Sequence, residues 1–266
     1  MRTTLPRGLL ILTALCLSGC SRSAQNLVTL AGSTAFQPFA EKLAEVYLTT
    51  HPDAQVNVQG GGSAVGIQAA LSGAADVGMA DLLDLPPEAS SLTSTAVAKD
   101  GIAIIVNPGN PVSSLTADEA RSIFSGKTAS WKEVGGHDAT VRIISREEGS
   151  GTRRSFDALV LGGDKLASGA LFENSNGTVR EAVASDPEAI SYLSIGLVNE
   201  RVKAVAFGGI APSNRNVKNG TYSLSRPVFF LTKGEPSPAA RAFIDFVLSP
   251  VGQGILEKEG LIAVKE

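Results

Sequence analysis

Short apolar runs alternate along the first part of the chain with longer stretches whose apolar residues recur at helical spacing. Leu27 to Leu30, Ala54 to Val58 and Ala75 to Met79 read as strands. Between them, Phe39, Leu43, Val46 and Tyr47 form one helical stripe, and Ile67, Ala70 and Leu71 form another. Pro38 suits the first turn of the earlier helix, which His51-Pro52-Asp53 ends. This βαβαβ alternation predicts a parallel sheet. Asp100 to Asn107 is the strongest strand signal, and Pro108-Gly-Asn-Pro111 breaks it, so a first crossing between domains is expected there. Thr116-Ala-Asp-Glu119 is a capping-box pattern opening a short helix that stops at Gly126. Further strands are expected at 141–144, 189–195, 202–207 and 227–232. Further helices are expected after residue 153, near 179–184, over 239–248 and around 253–257. Pro212 to Gly220 is polar and turn-rich and reads as the return to the first domain. The tail then completes that domain, and the middle of the chain is an insertion in it.

Three junctions share one chemistry. Ala31-Gly-Ser-Thr-Ala-Phe36, Gly60-Gly-Gly-Ser63 and Ser145-Arg-Glu-Glu-Gly-Ser-Gly-Thr-Arg153 each follow a strand and open a helix. Free backbone N–H groups and the positive end of the helix dipole lie at such a position. Glycines allow close backbone approach, hydroxyls add donors, and Arg146 and Arg153 add charge in fork geometry. Each junction taken alone is ordinary helix capping or a loop. Three together are explained by helix N-termini converging on one anion.

Composition narrows the partners. The 266 residues carry a formal charge of −3 with no basic run, which argues against nucleic acid. Arg2 and Arg7 precede an apolar run from Gly8 to Leu17, and Leu17-Ser18-Gly19-Cys20 resembles a bacterial lipobox. The expectation is a signal peptide over 1–19, lipid on Cys20 and a tether over 20–26, with a plain secretory signal as the alternative. Removing 1–19 lowers Lys+Arg from 23 to 21 against 26 acids, giving a charge of −5. The other cysteine, Cys16, falls in the signal, so the folded part has no disulfide, thiol nucleophile or Cys-based metal site. His51 and His137 are far apart, sit beside turn residues and read as surface positions.

Several chemistries fail on spacing. Gly126-Lys127-Thr128 looks like a P-loop ending, but position 121 is Arg where a glycine is needed. Gly60 to Gly66 misses a dinucleotide fingerprint at Val65. No histidine is placed to serve as base for Ser33, Ser63 or Ser150, so binding is favoured over covalent catalysis. Asp81 ends a buried strand at the carboxyl edge of the sheet, where α/β ligands bind; a solvated turn or a helix cap is the alternative. As a site residue, a carboxylate repels an anion unless the anion brings a proton. It would therefore prefer hydrogen phosphate over sulfate, and Arg146 is expected to hold it by a charge-assisted pair. Trp131, Tyr222 and the C-terminal phenylalanines read as packing.

The chain resembles the phosphate-binding proteins of bacterial high-affinity phosphate ABC importers. The resemblance runs over essentially all of the chain beyond the signal. It is carried by Ala31-Gly-Ser-Thr34, Val58-Gln-Gly-Gly-Gly-Ser63, Ile102 to Pro108, Ile123-Phe-Ser-Gly-Lys127, Trp131 to Gly136, Ile144 to Arg153 and Asn219 to Pro227. It implies an α/β type II periplasmic-binding-protein fold, two lobes joined by hinge strands with the ligand in the cleft. Residues 27–107 with 221–266 would form one lobe and 108–220 the other. Carried over position by position, it implies phosphate contacts from Thr34, the amide of Ala35, Ser63, Asp81, Arg146, Ser150, Gly151 and Thr152, with Ser33 as a neighbour. The chain departs from the family at Ala64-Val65-Gly66, where Gly-Thr-Gly is common. It departs again at Ala80-Asp81-Leu82, where many lipoprotein members have Ser-Ser-Arg. The implied molecule is a membrane-anchored, extracytoplasmic, monomeric phosphate receptor serving ABC permease subunits, with no metal, cofactor or enzymatic activity. A receptor for sulfate, molybdate or tungstate, and a phosphate sensor or phosphatase on the same fold, are the alternatives.

Overall fold

A computed structural model of the chain describes residues 26–264. The signal, lipidation and most of the tether expected before residue 26 lie outside the described residues. The first three strands, β1 (Leu27–Gly32), β2 (Gln55–Gln59) and β3 (Val77–Asp81), are parallel, in the order β2-β1-β3. The helices α1 (Gln37–Thr50) and α2 (Ser63–Ser72) connect them, as the βαβαβ alternation predicts. Phe39, Leu43 and Tyr47 are buried on α1, and Ile67 and Ala70 on α2, while Val46 is only half-buried.

The fourth strand, β4 (Thr93–Val106), is much longer than its apolar run. Its polar first part, Thr93 to Gly101, pairs antiparallel with a late strand, and Ile102 to Val106 pairs with two others. The second lobe follows: β5 (Ser114–Leu115), α3 (Ala117–Phe124), β6 (Arg142–Arg146), α4 (Gly151–Phe156), β7 (Leu171–Glu173), α5 (Asn176–Ser185), β8 (Ala189–Ser194), β9 (Lys203–Phe207) and α6 (Asn214–Lys218). The capping box on α3 forms: Thr116 accepts from the Glu119 N–H, and the Glu119 side chain accepts from the Thr116 N–H. The turn-rich stretch 212–220 contains the short helix α6, capped by Ser213. Then β10 (Ser225–Thr232) runs antiparallel between β3 and β4, and α7 (Pro238–Leu248) and α8 (Pro250–Lys258) close the chain.

The sheet path β2-β1-β3-β10-β4-β8-β6-β7 thus runs through both lobes. Each lobe covers its part of the sheet with two cores. In the first, Phe36, Phe39, Leu43, Tyr47, Phe230 and Phe243 pack on one face, and Ile67, Ala70, Leu82 and Leu231 on the other. In the second, Ile102, Ile104 and Val106 turn toward Phe124, Trp131, Phe156 and Tyr192. Their alternate neighbours Ala103 and Ile105 turn toward Ile144, Val179 and Val183. This two-residue period with both faces buried is what a central strand covered by helices requires. Trp131 and Tyr222 are packing residues, as read: the indole N–H donates to the Glu188 carbonyl and the phenol to the Ile102 carbonyl.

Candidate functional site

The carboxyl ends of β1, β3 and β6 meet between the lobes, and the three glycine- and hydroxyl-rich junctions meet with them. Aromatic packing fixes the first and third. Phe36, at the start of α1, packs edge-on against Phe230 at 5.8 Å. Phe156, at the end of α4, stacks on Tyr192 at 3.9 Å and meets Phe124 edge-on at 4.7 Å. The Tyr192 hydroxyl is 2.8 Å from Ser145 Oγ on β6, which ties α4 to the strand feeding its loop.

Two hydroxyls do the ordinary capping work their sequence allows. Ser33 Oγ accepts from the Phe36 N–H at 3.1 Å, and Ser150 Oγ accepts from the Arg153 N–H at 3.2 Å. Accepting a bond leaves each hydroxyl its own O–H to donate. The N-cap residues of α1 and α2, Phe36 and Gly62, make no side-chain capping bond.

At the centre lies Asp81, 2% exposed. Ser63 Oγ donates to its Oδ1 at 2.7 Å, and Thr152 Oγ1, from the other lobe, donates to its Oδ2 at 3.1 Å. Burial pushes this carboxyl up, but the Arg226 charge and hydrogen bonds from Ser63, Ser33 and Arg226 outweigh it. Asp81 therefore sits below its ordinary value and is ionised at neutral pH. The lobes touch through neighbouring contacts. The Ala64 N–H donates to the Gly149 carbonyl at 3.1 Å, and Arg146 Nη2 donates to Thr34 Oγ1 at 3.1 Å. Gly62 has φ 92°, and a Cβ there would lie 2.8 Å from the Gly149 carbonyl oxygen. A Cβ on Gly151 would lie 2.2 Å from Ser63 Oγ and 2.5 Å from the Asp81 carbonyl oxygen. The glycines at this site thus admit the opposite lobe.

A family model for the PBP superfamily domain matches residues 21–251. The phosphate-binding protein PstS of Bacillus subtilis is 35% identical over 248 residues, which cover 91% of this chain and 82% of that protein. The chain belongs to the PstS family. Among solved structures, a Clostridium perfringens protein assigned as a phosphate ABC transporter substrate-binding protein and solved with bound phosphate is 38% identical. It superposes with a TM-score of 0.87 over 90% of this chain and all of that one. An ABC-type phosphate transport receptor from Vibrio cholerae is 36% identical, with a TM-score of 0.73 over 88% of this chain and 99% of that one. The fold is the type II periplasmic-binding-protein fold, two α/β lobes with a cleft between them.

In this PstS-family chain the residues singled out from sequence come together. Ser33, Ala35, Ser63, Asp81, Arg146, Ser150, Gly151 and Thr152 are buried, and Thr34 is half-buried against Arg146. One expected pairing does not form. Arg146 does not hold Asp81: its guanidinium takes Glu147, with Nε to Oε2 at 2.9 Å and Nη2 to Oε1 at 2.8 Å, and also the carbonyls of Glu173 and Asn174. The partner of Asp81 is Arg226, which donates from Nε at 2.8 Å and also from Nη2. Sheet register is the reason. Val228 of β10 sits opposite Asp81 of β3, so Arg226, two residues away on the same face, is the diagonal neighbour of Asp81. The sequence offered one signal for this, an arginine inside the Asn219–Pro227 motif, but that motif alone assigns no partner. Arg146 is freed for another task; its Nη1, like that of Arg226, is buried with no hydrogen-bond partner.

Among the described residues no group of three His, Cys, Asp or Glu is placed to hold a metal ion. None of the described helices is long and apolar enough to cross a membrane.

Proposed function

We propose that the protein captures inorganic phosphate outside the cytoplasm and delivers it to an ABC import permease. One observation carries the reading: an ionised carboxylate, Asp81, lies among convergent donors from three helix starts, with Arg146 Nη1 unpaired beside them. Donors alone would accept any tetrahedral oxyanion. An acceptor in their midst favours an anion that brings its own O–H, and at neutral pH phosphate carries one and sulfate does not. Thr34, the Ala35 amide, Ser63, Arg146, Ser150, Gly151 and Thr152 supply the donors, with Ser33 beside them. Phosphate arrival turns the Ser63 and Thr152 hydroxyls from Asp81 to the ligand, and the phosphate O–H takes over a place on the carboxylate.

The bound relative from C. perfringens and the PstS relatives support the ligand and the transporter partnership. The lipobox-like Leu17 to Cys20 supports an anchor through lipid on Cys20 to a bacterial membrane. Binding without chemistry is the reading supported by the relatives, which are phosphate-binding proteins and a transporter substrate-binding protein. In this reading the hinge lies where β4 and β10 pass between the cores, at Gly101–Ile102 and Leu224–Ser225, a few residues from the 107/108 and 220/221 boundaries expected from the sequence, and the receptor works as a monomer. Calorimetric titration with phosphate, sulfate and molybdate tests the ligand: tight phosphate binding without a sulfate signal is expected, and equal binding of phosphate and sulfate would reject it. Metabolic labelling with radioactive palmitate, comparing the wild type with Cys20→Ala, tests the anchor; label retained on the variant would reject lipidation at that residue.

A further inference from the structure

Two buried groups are not used by the proposed binding scheme. Arg226 and Asp100 face each other across the paired strands β10 and β4, at the point where both pass between the lobes. Arg226 is fully buried and Asp100 is 2% exposed. The guanidinium lies between two carboxylates: Asp81 takes Nε and Nη2, and Asp100 Oδ2 lies 3.1 Å from Nη2. Asp100 Oδ1 is held in turn by Ser194 Oγ at 2.8 Å, from β8 of the second lobe. Thr152, also from the second lobe, touches both members of the front pair, accepting from Arg226 Nη2 at 3.0 Å and donating to Asp81 at 3.1 Å.

We propose that Arg226, braced from behind by Asp100, is the positioning residue that keeps Asp81 an ionised acceptor and so sets the preference for a protonated oxyanion. The inference rests on the phosphate-receptor reading. A carboxylate this deeply buried keeps its charge only when burial is offset. The Arg226 charge, within hydrogen-bond reach, is the largest offset, with hydrogen bonds from Ser63 and Ser33 adding to it. Without the guanidinium, burial dominates, and Asp81 takes a proton from solvent. A protonated Asp81 donates where it formerly accepted, and a fully deprotonated anion such as sulfate then fits.

Asp100 tunes the same balance. Burial raises it to about 6, with Asp81 adding in the same direction and Arg226, Ser194 and the Gly101 N–H opposing. Those groups, from β10, β3, β8 and its own strand, are the charged and polar neighbours that face it. Above that pH its charge draws on Arg226 and adds a negative charge behind the anion. Below it, the whole of Arg226 serves Asp81.

The full chain and two variants, Arg226→Gln and Asp100→Asn, are titrated calorimetrically with phosphate and with sulfate. Arg226→Gln is expected to lose about a hundredfold in phosphate affinity while sulfate binding appears within about tenfold of it, a loss in the range for truncating one partner of a buried charge pair at a binding site. Asp100→Asn keeps the side-chain volume. It is expected to bind phosphate several-fold more tightly than wild type at pH 7.5 and equally at pH 5, the ratio cancelling the titration of phosphate itself. A merely structural role would weaken phosphate and sulfate together. An unchanged phosphate-to-sulfate ratio in Arg226→Gln, or Asp100→Asn weaker than wild type at both pH values, would overturn the assignment. If Arg226→Gln does not fold, the Asp100→Asn comparison decides alone. Failure of the wild type to bind phosphate would instead sink the receptor reading.

Discussion

Arg146 and Arg226 are both buried arginines at one site, and they do different work because their neighbours differ. Arg146 spends four hydrogen bonds on Glu147 and on two carbonyls, donates a fifth to Thr34, and keeps Nη1 for a ligand. A hydrogen bond to a charged group contributes roughly 1.5–3 kcal/mol. Arg146→Met should therefore weaken phosphate binding by at least about tenfold, as titration calorimetry would register. Asp81 keeps its own partner in that variant, so the phosphate-to-sulfate preference should persist. Asp100 gives a prediction on stability. Its folded-state value is raised to about 6 by burial, so between pH 4 and 6 the folded protein binds the proton more tightly than the unfolded chain. Stability therefore falls as pH rises through that window, by about 3 kcal/mol for a shift of this size. Asp100→Asn removes the buried charge. Its denaturant midpoint should match wild type at pH 4 and exceed it at pH 7.5. Asp81, held below its ordinary value, loses its contribution only as pH falls toward and below 3.8, under the window compared.

At the scale of elements, the site is held by what stands behind its loops. The loop from Arg146 to Thr152 is carried by β6 and α4, and α4 is seated by Phe156 between Phe124 and Tyr192. Phe156→Ala should destabilise the protein by about 3–5 kcal/mol, as large aromatic truncations do, and should weaken phosphate binding as well. Thermal unfolding with and without ligand checks both; full affinity in the variant would show that the loop keeps its geometry without that packing. The elements nearest this loop were also the most legible in the sequence. Period and turn residues placed β1, α1, β2, α2, β3 and the Gly-Ser-Gly-Thr junction, because each is a local pattern with local punctuation. The polar start of β4 and the short edge strand β7, with its exposed Leu171 and Phe172, carried no such period. The pairing of Asp81 was misread for a related reason. It depends on β10 returning antiparallel beside β3 from far along the chain, and no local pattern near Asp81 encodes that return. Arg146 was the arginine visible in a motif, whereas Arg226 acquires its role only through register.

For the whole molecule, the described arrangement is one in which the lobes touch across the site, and that contact depends on an absent methyl group. The Ala64–Gly149 and Arg146–Thr34 bonds bring the second lobe's loop against α1 and α2, and Gly151 passes close enough that a Cβ would overlap Ser63 and the Asp81 backbone. Backbone oxygen cannot yield as a flexible side-chain end can, so the relief available to Gly151→Ala is to hold the lobes apart. The fold of each lobe should survive: the residue is at N1 of a helix, where alanine is well tolerated. Its melting temperature without ligand should stay within a few degrees of wild type, while phosphate affinity falls by more than about tenfold because the Ser150 and Thr152 donors no longer reach the first lobe's side of the site. Small-angle scattering separates this from simple misfolding. Wild type should contract on adding phosphate, and the variant should keep its larger radius of gyration at the same concentration. A variant that contracts and binds like wild type would mean that the lobes close with more clearance at Gly151 than this arrangement has, and that closure is set elsewhere along the contact.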